Sequence, residues 1–248
     1  MSFCAPNTAL STTQVDRVEW QSADSGTNVP NRTPSVHKLS QAEPRWAAAL
    51  AFLAIGGLFI ALPEPLFPGP NWLLLFILAV LETPTMLSHR FGRLRLNRIL
   101  GLVISCLVTA ALIWSLGSLI HALPSHREPP VTLLRSAAAL WISNVLVFAT
   151  WYWRLDAGGP NQRDTRNSHE QGAFLFPQML LPPGSKGLQG PWKPGFIDYL
   201  FLAFNTSTAF SPTDVPVLSR WAKSLMMIQS LISLGTIAIL AARAVNIL

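Results

Sequence analysis

Charged side chains are scarce in this chain. Asp, Glu, Lys and Arg make up 12% of its 248 residues, whereas a soluble domain carries about 25%. Hydrophobic residues make up 50%, and they lie in long runs that contain almost no charge. Runs of this length and composition are typical of segments that have lipid as their solvent. The composition therefore predicts an integral membrane protein whose main partner is the lipid bilayer.

Cysteine is almost absent, and the motifs of the common enzyme classes are missing from the sequence. Cys4 lies in a polar segment and Cys106 within an apolar run, so the two cannot be assumed to pair. The sequence contains no CxxC, HExxH or similar Cys/His spacing of a metal site. It also lacks the phosphate-loop, dinucleotide and serine-hydrolase fingerprints. We therefore expect no enzyme activity, no metal and no cofactor.

The net charge of +6 would indicate nucleic acid as a partner if the protein were soluble. Here the basic residues flank apolar runs, so we expect no nucleic acid. The clearest example is HRFGRLRLNR, with four arginines at positions 90, 93, 95 and 98 and no acid. Such connections lie in the cytoplasm. The sequence therefore predicts a multi-pass protein of the cell (inner) membrane with a cytoplasmic N-terminus. The first residues lack a basic start followed by an apolar core, so no cleavable signal peptide is expected.

Six apolar runs divide the rest of the chain. Five of them predict full transmembrane helices, at 46–63, 72–88, 99–123, 137–153 and 219–246. The sixth run, 196–210, is short and predicts a short or re-entrant helix. The expected fold is an all-α helical bundle of five full transmembrane helices plus that short C-terminal helix.

The predicted organisation has four parts. Residues 1–44 are polar without a helical period and predict a disordered cytoplasmic tail, and 45–153 form a four-helix transmembrane bundle. Residues 154–195 are a polar connection rich in Gly and Pro, where regular structure is not expected. Residues 196–248 form a helix–turn–helix.

The stretch FNTSTAFSPTD, residues 204–214, is unusually polar for a place between two apolar runs. Side-chain and backbone oxygens of this kind replace the hydration shell of an ion inside a pore. The candidate ion-coordinating residues of the stretch are Asn205, Thr206, Ser207, Thr208, Ser211, Thr213 and Asp214.

With IDYLFLAF before it and a long apolar helix after it, this stretch resembles the pore module of two-helix ion channels, which consists of a pore helix, a turn ending in Asp, and an inner helix. FNTSTAFSPTDVPVLSRWAK is also similar to a group of uncharacterised bacterial multi-span membrane proteins, and that similarity extends back to WYWRLDAGGP and FLFPQ. The resemblance implies an ion-conducting or ion-coordinating role, with monovalent ions and further copies of the chain as partners.

The resemblance to a potassium filter is incomplete. Aligned on Asp214, this chain has Ser211, Pro212 and Thr213 where the filter has Gly-Tyr-Gly. The glycines of the filter permit a backbone geometry that these residues resist, so potassium selectivity does not follow. An alternative interpretation takes Ser211–Pro212 as a helix start and the other hydroxyls as bonded to their own helix. The protein would then be a non-conducting membrane scaffold or accessory subunit.

Polar side chains recur along the last helix. Gln229, Ser233 and Thr236 are spaced by four and three residues and share one helical face. Such a face lines a pore in a channel, and it joins helices by hydrogen bonds in an ordinary bundle. Both interpretations stay open at this point.

Glu82 is an acidic side chain well inside an apolar run. An intramembrane carboxylate is costly and marks a functional site by default. The sequence leaves two roles open for Glu82, a proton relay or an ion pair with an arginine such as Arg90. Asn144, in the fourth run, predicts a hydrogen bond across helices.

Overall fold

The computed structural model describes residues 45–63, 66–90, 94–122, 129–165, 172–182, 192–208 and 215–245. These residues are helical for the most part and hold no β-strand beyond one isolated bridge, between Phe174 and Val217. The prediction of an all-helical chain is confirmed in this part of the molecule. The predicted tail, 1–44, lies outside the described residues.

The described ranges contain seven α-helices and two short 3₁₀ turns. The helices are α1 Trp46–Ile60, α2 Trp72–Arg90, α3 Leu94–Ala122, α4 Pro130–Leu155, α5 Pro160–Thr165, α6 Phe196–Thr208 and α7 Arg220–Val245. The 3₁₀ turns are Asp156–Gly158 and Pro177–Leu180.

Three of the described helices are long and apolar enough to cross a membrane. Their candidate spans are Arg95–Ala122, Val131–Gly158 and Arg220–Ala242, in α3, α4 and α7. The apolar parts of α1 and α2, Trp46–Ile60 and Trp72–Thr85, are shorter. At 1.5 Å per residue, α1 is about 22 Å long, less than the roughly 30 Å of a hydrocarbon core. Of the five full spans expected from the sequence, three therefore correspond to helices that are long and apolar enough to cross a membrane.

Helix α2 continues through Pro84, which cannot donate a hydrogen bond to the preceding turn. The hydroxyls on either side of the proline bond back to this helix instead. Thr83 donates to the carbonyl oxygen of Ala79 at 2.8 Å, and Thr85 donates to that of Leu81 at 2.7 Å. Hydroxyl bonds of this kind let a proline persist inside an apolar helix.

Helices α1 to α4 alternate in direction, and four of their termini meet at one end of the bundle. Arg45, before α1, forms an ion pair with Asp164 in α5 at 3.1 Å. Asn97, in the first turns of α3, donates to the carbonyl oxygen of Thr85 in α2 at 2.7 Å. Arg154, near the end of α4, faces α2 as well. We call this end, marked by Arg45, Arg95, Arg98 and Arg154, the arginine end.

Helix α6 starts at the arginine end and stops about half way along the bundle. The ring of Phe174 lies 6.2 Å from that of Tyr199 in α6 and 6.1 Å from that of Trp221 in α7, so both helices start at the same place. At its other end, α6 places Phe204 6.0 Å from Trp141, near the middle of α4. Helices α6 and α7 are therefore parallel to each other and antiparallel to α4.

Candidate functional site

The side-chain amide of Gln229 joins α7 to two other helices. Its Nε2 donates to the carbonyl oxygen of Ala203 and to the hydroxyl of Ser207, both in α6 and both at 2.7 Å. Its Oε1 accepts the hydroxyl of Tyr152 in α4 at 2.5 Å. Gln229 and Tyr152 are both 0% exposed. We call this set of bonds, together with those of Ser233 below, the Gln229 network.

Ser233 extends the network by one helical turn. It donates to the carbonyl oxygen of Ser207 and accepts the indole N–H of Trp141 at 2.9 Å. Asn144 in α4 donates to the carbonyl oxygen of Gln229 at 3.2 Å, an interhelical bond of the kind expected for it. The four-residue spacing of Gln229 and Ser233 thus directs both side chains toward α4 and α6.

The candidate ion-coordinating hydroxyls that the structure describes are bonded within the bundle. Thr206 donates to the carbonyl oxygen of Leu202 at 2.8 Å, and Thr208 donates to that of Asn205 at 3.1 Å. Thr206 and Ser207 are buried, and Asn205 and Thr208 are half-buried. Ser211, Thr213 and Asp214 lie outside the described residues. The stretch is therefore a regular helix as far as Thr208. The hydroxyls of Thr206 and Thr208 are directed at backbone carbonyls, and that of Ser207 accepts the amide of Gln229.

From Met227 to Ala242, the exposed side chains of α7 are apolar. The large ones are Met227, Ile228, Leu231, Leu234 and Ile237. A helix with its polar side chains toward the bundle and its apolar side chains outward is typical of a lipid-facing position.

Glu82 forms an ion pair with Arg154 of α4, at 3.7 Å between Oε1 and Nη2. The guanidinium also lies over the ring of Phe52 in α1, 5.2 Å from its centroid, and close to that of Trp153. Gly101 of α3 makes room for it, because a Cβ added there would overlap the guanidinium. One arginine therefore contacts α1, α2 and α3 together.

The observed ion pair corresponds to one of the two roles that the sequence left open for Glu82. Those two roles are a proton relay and an ion pair with an arginine such as Arg90. The observed partner is Arg154, and the side chain of Arg90 is outside the described part of the chain. Spacing along one helix carries no information about a partner on another helix.

Asp156 is a fully buried carboxylate that was not among the residues predicted from the sequence. It accepts the backbone N–H of Ala173 at 2.5 Å and the hydroxyl of Tyr199 in α6 at 2.6 Å. Arg163 in α5 donates to the carbonyl oxygens of Trp153 and Asp156, and so covers the end of α4. The first part of the predicted irregular connection, 154–195, is therefore an ordered junction between α4, α5 and α6.

The chain reverses at this junction through positive φ angles. Ala157 has φ 50°, Gly158 φ 83° and Gly159 φ 92°. Glycine tolerates this region, which other residues avoid. The sequence signal that points to the turn is Asp156 two residues after Trp151-Tyr152-Trp153-Arg154 and followed by Ala-Gly-Gly-Pro.

Comparison with known proteins adds no further identification: no family model, no curated protein and no solved structure matches this chain. The resemblance to channel pore modules and to bacterial multi-span membrane proteins stays a prediction from the sequence. In the part of the chain that the structure describes, no group of three or more His, Cys, Asp or Glu residues is placed to hold a metal ion.

Proposed function

We propose that this protein is a non-conducting integral membrane scaffold or accessory subunit whose polar side chains hold its helices together. The observation that carries the proposal is the Gln229 network. Lipid tails provide no hydrophobic drive for helices to associate, so close packing and interhelical hydrogen bonds provide the cohesion. The amide of Gln229 contributes three such bonds, to Ala203, Ser207 and Tyr152. A polar face used in this way is not available to line a pore.

The proposal includes an orientation in the inner membrane. The arginine end faces the cytoplasm, because basic residues concentrate on the cytoplasmic side of such proteins. Arg45, Arg95 and Arg98 lie there, and the exposed Arg220 and Lys223 begin α7 at the same end. The N-terminus is then cytoplasmic, and α6 enters from the cytoplasm as a re-entrant helix. The paired Glu82 belongs to the anchoring of α4 rather than to a proton relay.

A second candidate function is ion conduction by an assembly of several copies, with monovalent ions as the cargo. The observation in its favour is the path of the chain. Helix α6 ends near the middle of the bundle while α7 begins at the arginine end. A segment that enters a membrane part way and returns is tolerated where it is buried in protein or lines a wet cavity.

Ion flux separates the two candidates. The purified protein is reconstituted into liposomes loaded with a potassium-sensitive or sodium-sensitive dye, with empty liposomes as the blank and an added ionophore as proof of vesicle integrity. The scaffold proposal expects flux equal to that of empty liposomes. Flux well above the blank that is lost in Thr208→Ala/Asp214→Ala, but kept in the matched hydroxyl variant Ser224→Ala on the exposed face of α7, would establish conduction instead.

A further inference from the structure

A cavity of about 310 Å³ lies at the arginine end, between the start of α3, the end of α4 and the turn into α5. Its polar and glycine lining consists of Arg95, Asn97, Arg98, Arg154, Gly158, Gly159, Asn161 and Gln162. We propose that this cavity binds a glycerol phosphate group, either as the headgroup of an anionic phospholipid or as a soluble phosphate ester.

The charge of the cavity favours an anion. Among the described residues, three arginines and no Asp or Glu line it. Arg154 forms an ion pair with Glu82, which is not one of the lining residues. Three positive charges and one negative charge leave a balance of +2 at the site. A phosphate group compensates such a charge with oxygens that match the planar guanidinium fork.

Arg154 provides a second and independent reason to expect a ligand. Its side chain is 9% exposed, and its Nε has no hydrogen-bond partner. Its distance of 3.7 Å to Glu82 is longer than a hydrogen bond. A guanidinium carries five donors, and leaving such a donor buried without an acceptor is costly. An oxygen of a bound phosphate in the cavity would satisfy it.

The amide groups indicate that the ligand also carries a hydroxyl. Asn97 donates to α2, and Asn161 donates to the Oδ1 of Asn97 at 3.3 Å. The Oδ1 of Asn161 is buried and has no partner. This oxygen can accept a hydrogen bond from a hydroxyl of the ligand, while the three arginines bind its phosphate. A phosphate ester with a free hydroxyl, such as glycerol phosphate, therefore fits the cavity better than inorganic phosphate does.

The position and the size of the cavity agree with this ligand. Basic pockets between transmembrane helices at the cytoplasmic side are places where anionic headgroups bind. The first backbone N–H groups of α3, which starts at Leu94, lie at the positive end of a 29-residue helix. The volume is at the small end of the roughly 300–1,000 Å³ range of ligand pockets, which suits a headgroup and not a larger molecule.

Two probes distinguish the two sources of the ligand. The delipidated protein in neutral detergent is titrated with glycerol 3-phosphate by calorimetry, and with phosphatidylglycerol, against phosphatidylcholine, by native mass spectrometry. Saturable binding of glycerol 3-phosphate indicates a soluble ester. Binding of phosphatidylglycerol but not of phosphatidylcholine or glycerol 3-phosphate indicates a lipid headgroup. Equal binding of the two lipids, or no binding of either probe, would overturn the proposal.

A pair of double variants assigns the binding to the cavity. Arg95→Gln/Arg98→Gln removes two lining charges whose side chains are exposed, so the fold is expected to persist. The matched control, Arg220→Gln/Lys223→Gln, removes two exposed charges at the same end but outside the lining. We expect the first variant to weaken binding about tenfold or more, because charge-assisted hydrogen bonds are lost, and the control to change it less than about twofold. Equal weakening by both would mean a diffuse surface charge effect and no site.

Gly101→Ala is a further variant that leaves the charges in place. The added Cβ displaces the guanidinium of Arg154. If Arg154 holds the phosphate, affinity falls in this variant although Arg95 and Arg98 are unchanged. Unaltered affinity would exclude Arg154 as a ligand residue and contradict the second reason for the site. None of these outcomes depends on whether the protein conducts ions.

Discussion

Replacement of Gln229 by leucine tests the hydrogen bonds that join α4, α6 and α7. Leucine has a similar size, so the change removes the amide without opening a large cavity. It eliminates the bonds to Ala203 and Ser207 and the bond accepted from Tyr152. These contacts connect the three helices of the C-terminal half of the chain, so their loss is expected to lower the stability of that half.

The expected magnitude follows from the number of bonds. Interhelical hydrogen bonds in membrane proteins average about 0.6 kcal/mol, so three of them contribute about 2 kcal/mol. The Tyr152 hydroxyl, left buried without its acceptor, adds about 1 kcal/mol. We therefore expect Gln229→Leu to reduce the free energy of unfolding by about 3 kcal/mol.

The assay is equilibrium unfolding in mixed micelles with an increasing fraction of sodium dodecyl sulfate, followed by circular dichroism. Ser224→Leu is the matched control, because Ser224 is exposed on the same helix and bonds only to its own turn, at Arg220. This control is expected to change stability by less than about 0.5 kcal/mol. The reasoning is refuted if Gln229→Leu is no more destabilising than Ser224→Leu.

A double-mutant cycle isolates the bond between Gln229 and Tyr152. Tyr152→Phe should cost about 1 kcal/mol in the wild-type background. When leucine replaces Gln229, the same change should recover about 1 kcal/mol, because it removes the buried hydroxyl that has lost its acceptor. Equal costs in the two backgrounds would show that the short contact carries no coupling energy.

Three further predictions concern the arginine end. Glu82→Gln leaves Arg154 buried without its counter-charge and should lower the free energy of unfolding by about 3 kcal/mol in the same assay. Adding Arg154→Gln to this variant should recover most of that loss. An equal or larger loss in the double variant would contradict the ion pair. Asp156→Asn replaces an acceptor oxygen by a donor amide and should lower the free energy of unfolding by about 2 kcal/mol. Hydrogen exchange at the backbone N–H of Ala173, which donates to Asp156, should become faster. Unchanged exchange would show that the carboxylate does not hold that backbone segment. In a background free of the two native cysteines, single cysteines at Lys193 and Lys223 should react with an impermeant reagent from the same side of the membrane, whereas reaction from opposite sides would mean that α6 crosses fully.

Most helix positions were predictable from the sequence, because an apolar run between polar punctuation is a local property. The first expected run began at residue 46 and the second at 72, the starting residues of α1 and α2. Helix α3 starts before its expected residue 99, at Leu94, because its first turns are polar and contact α2 through Asn97. Helix α4 starts at Pro130 and not at 137, since a proline is well accommodated in a first turn.

The junction after α4 was not predictable in the same way. Its residues, Asp156 and Arg163 among them, read as a polar connection because polar and glycine-rich segments are usually loops. The order of this segment comes from contacts with Ala173 and Tyr199, which are distant in the chain. No local pattern encodes such contacts.

By itself, the amino-acid sequence determined that this protein is a bundle of apolar helices with a basic end, since burial of apolar runs and placement of charge follow from composition and spacing. Only the tertiary structure decided which partners the polar side chains take. It directed Gln229 toward α4 and α6, paired Glu82 with Arg154, and returned the chain after α6 to the end where that helix began. The physical reason is that a polar group in an apolar surrounding takes whichever partner packing brings within hydrogen-bonding reach, and packing depends on the whole chain at once.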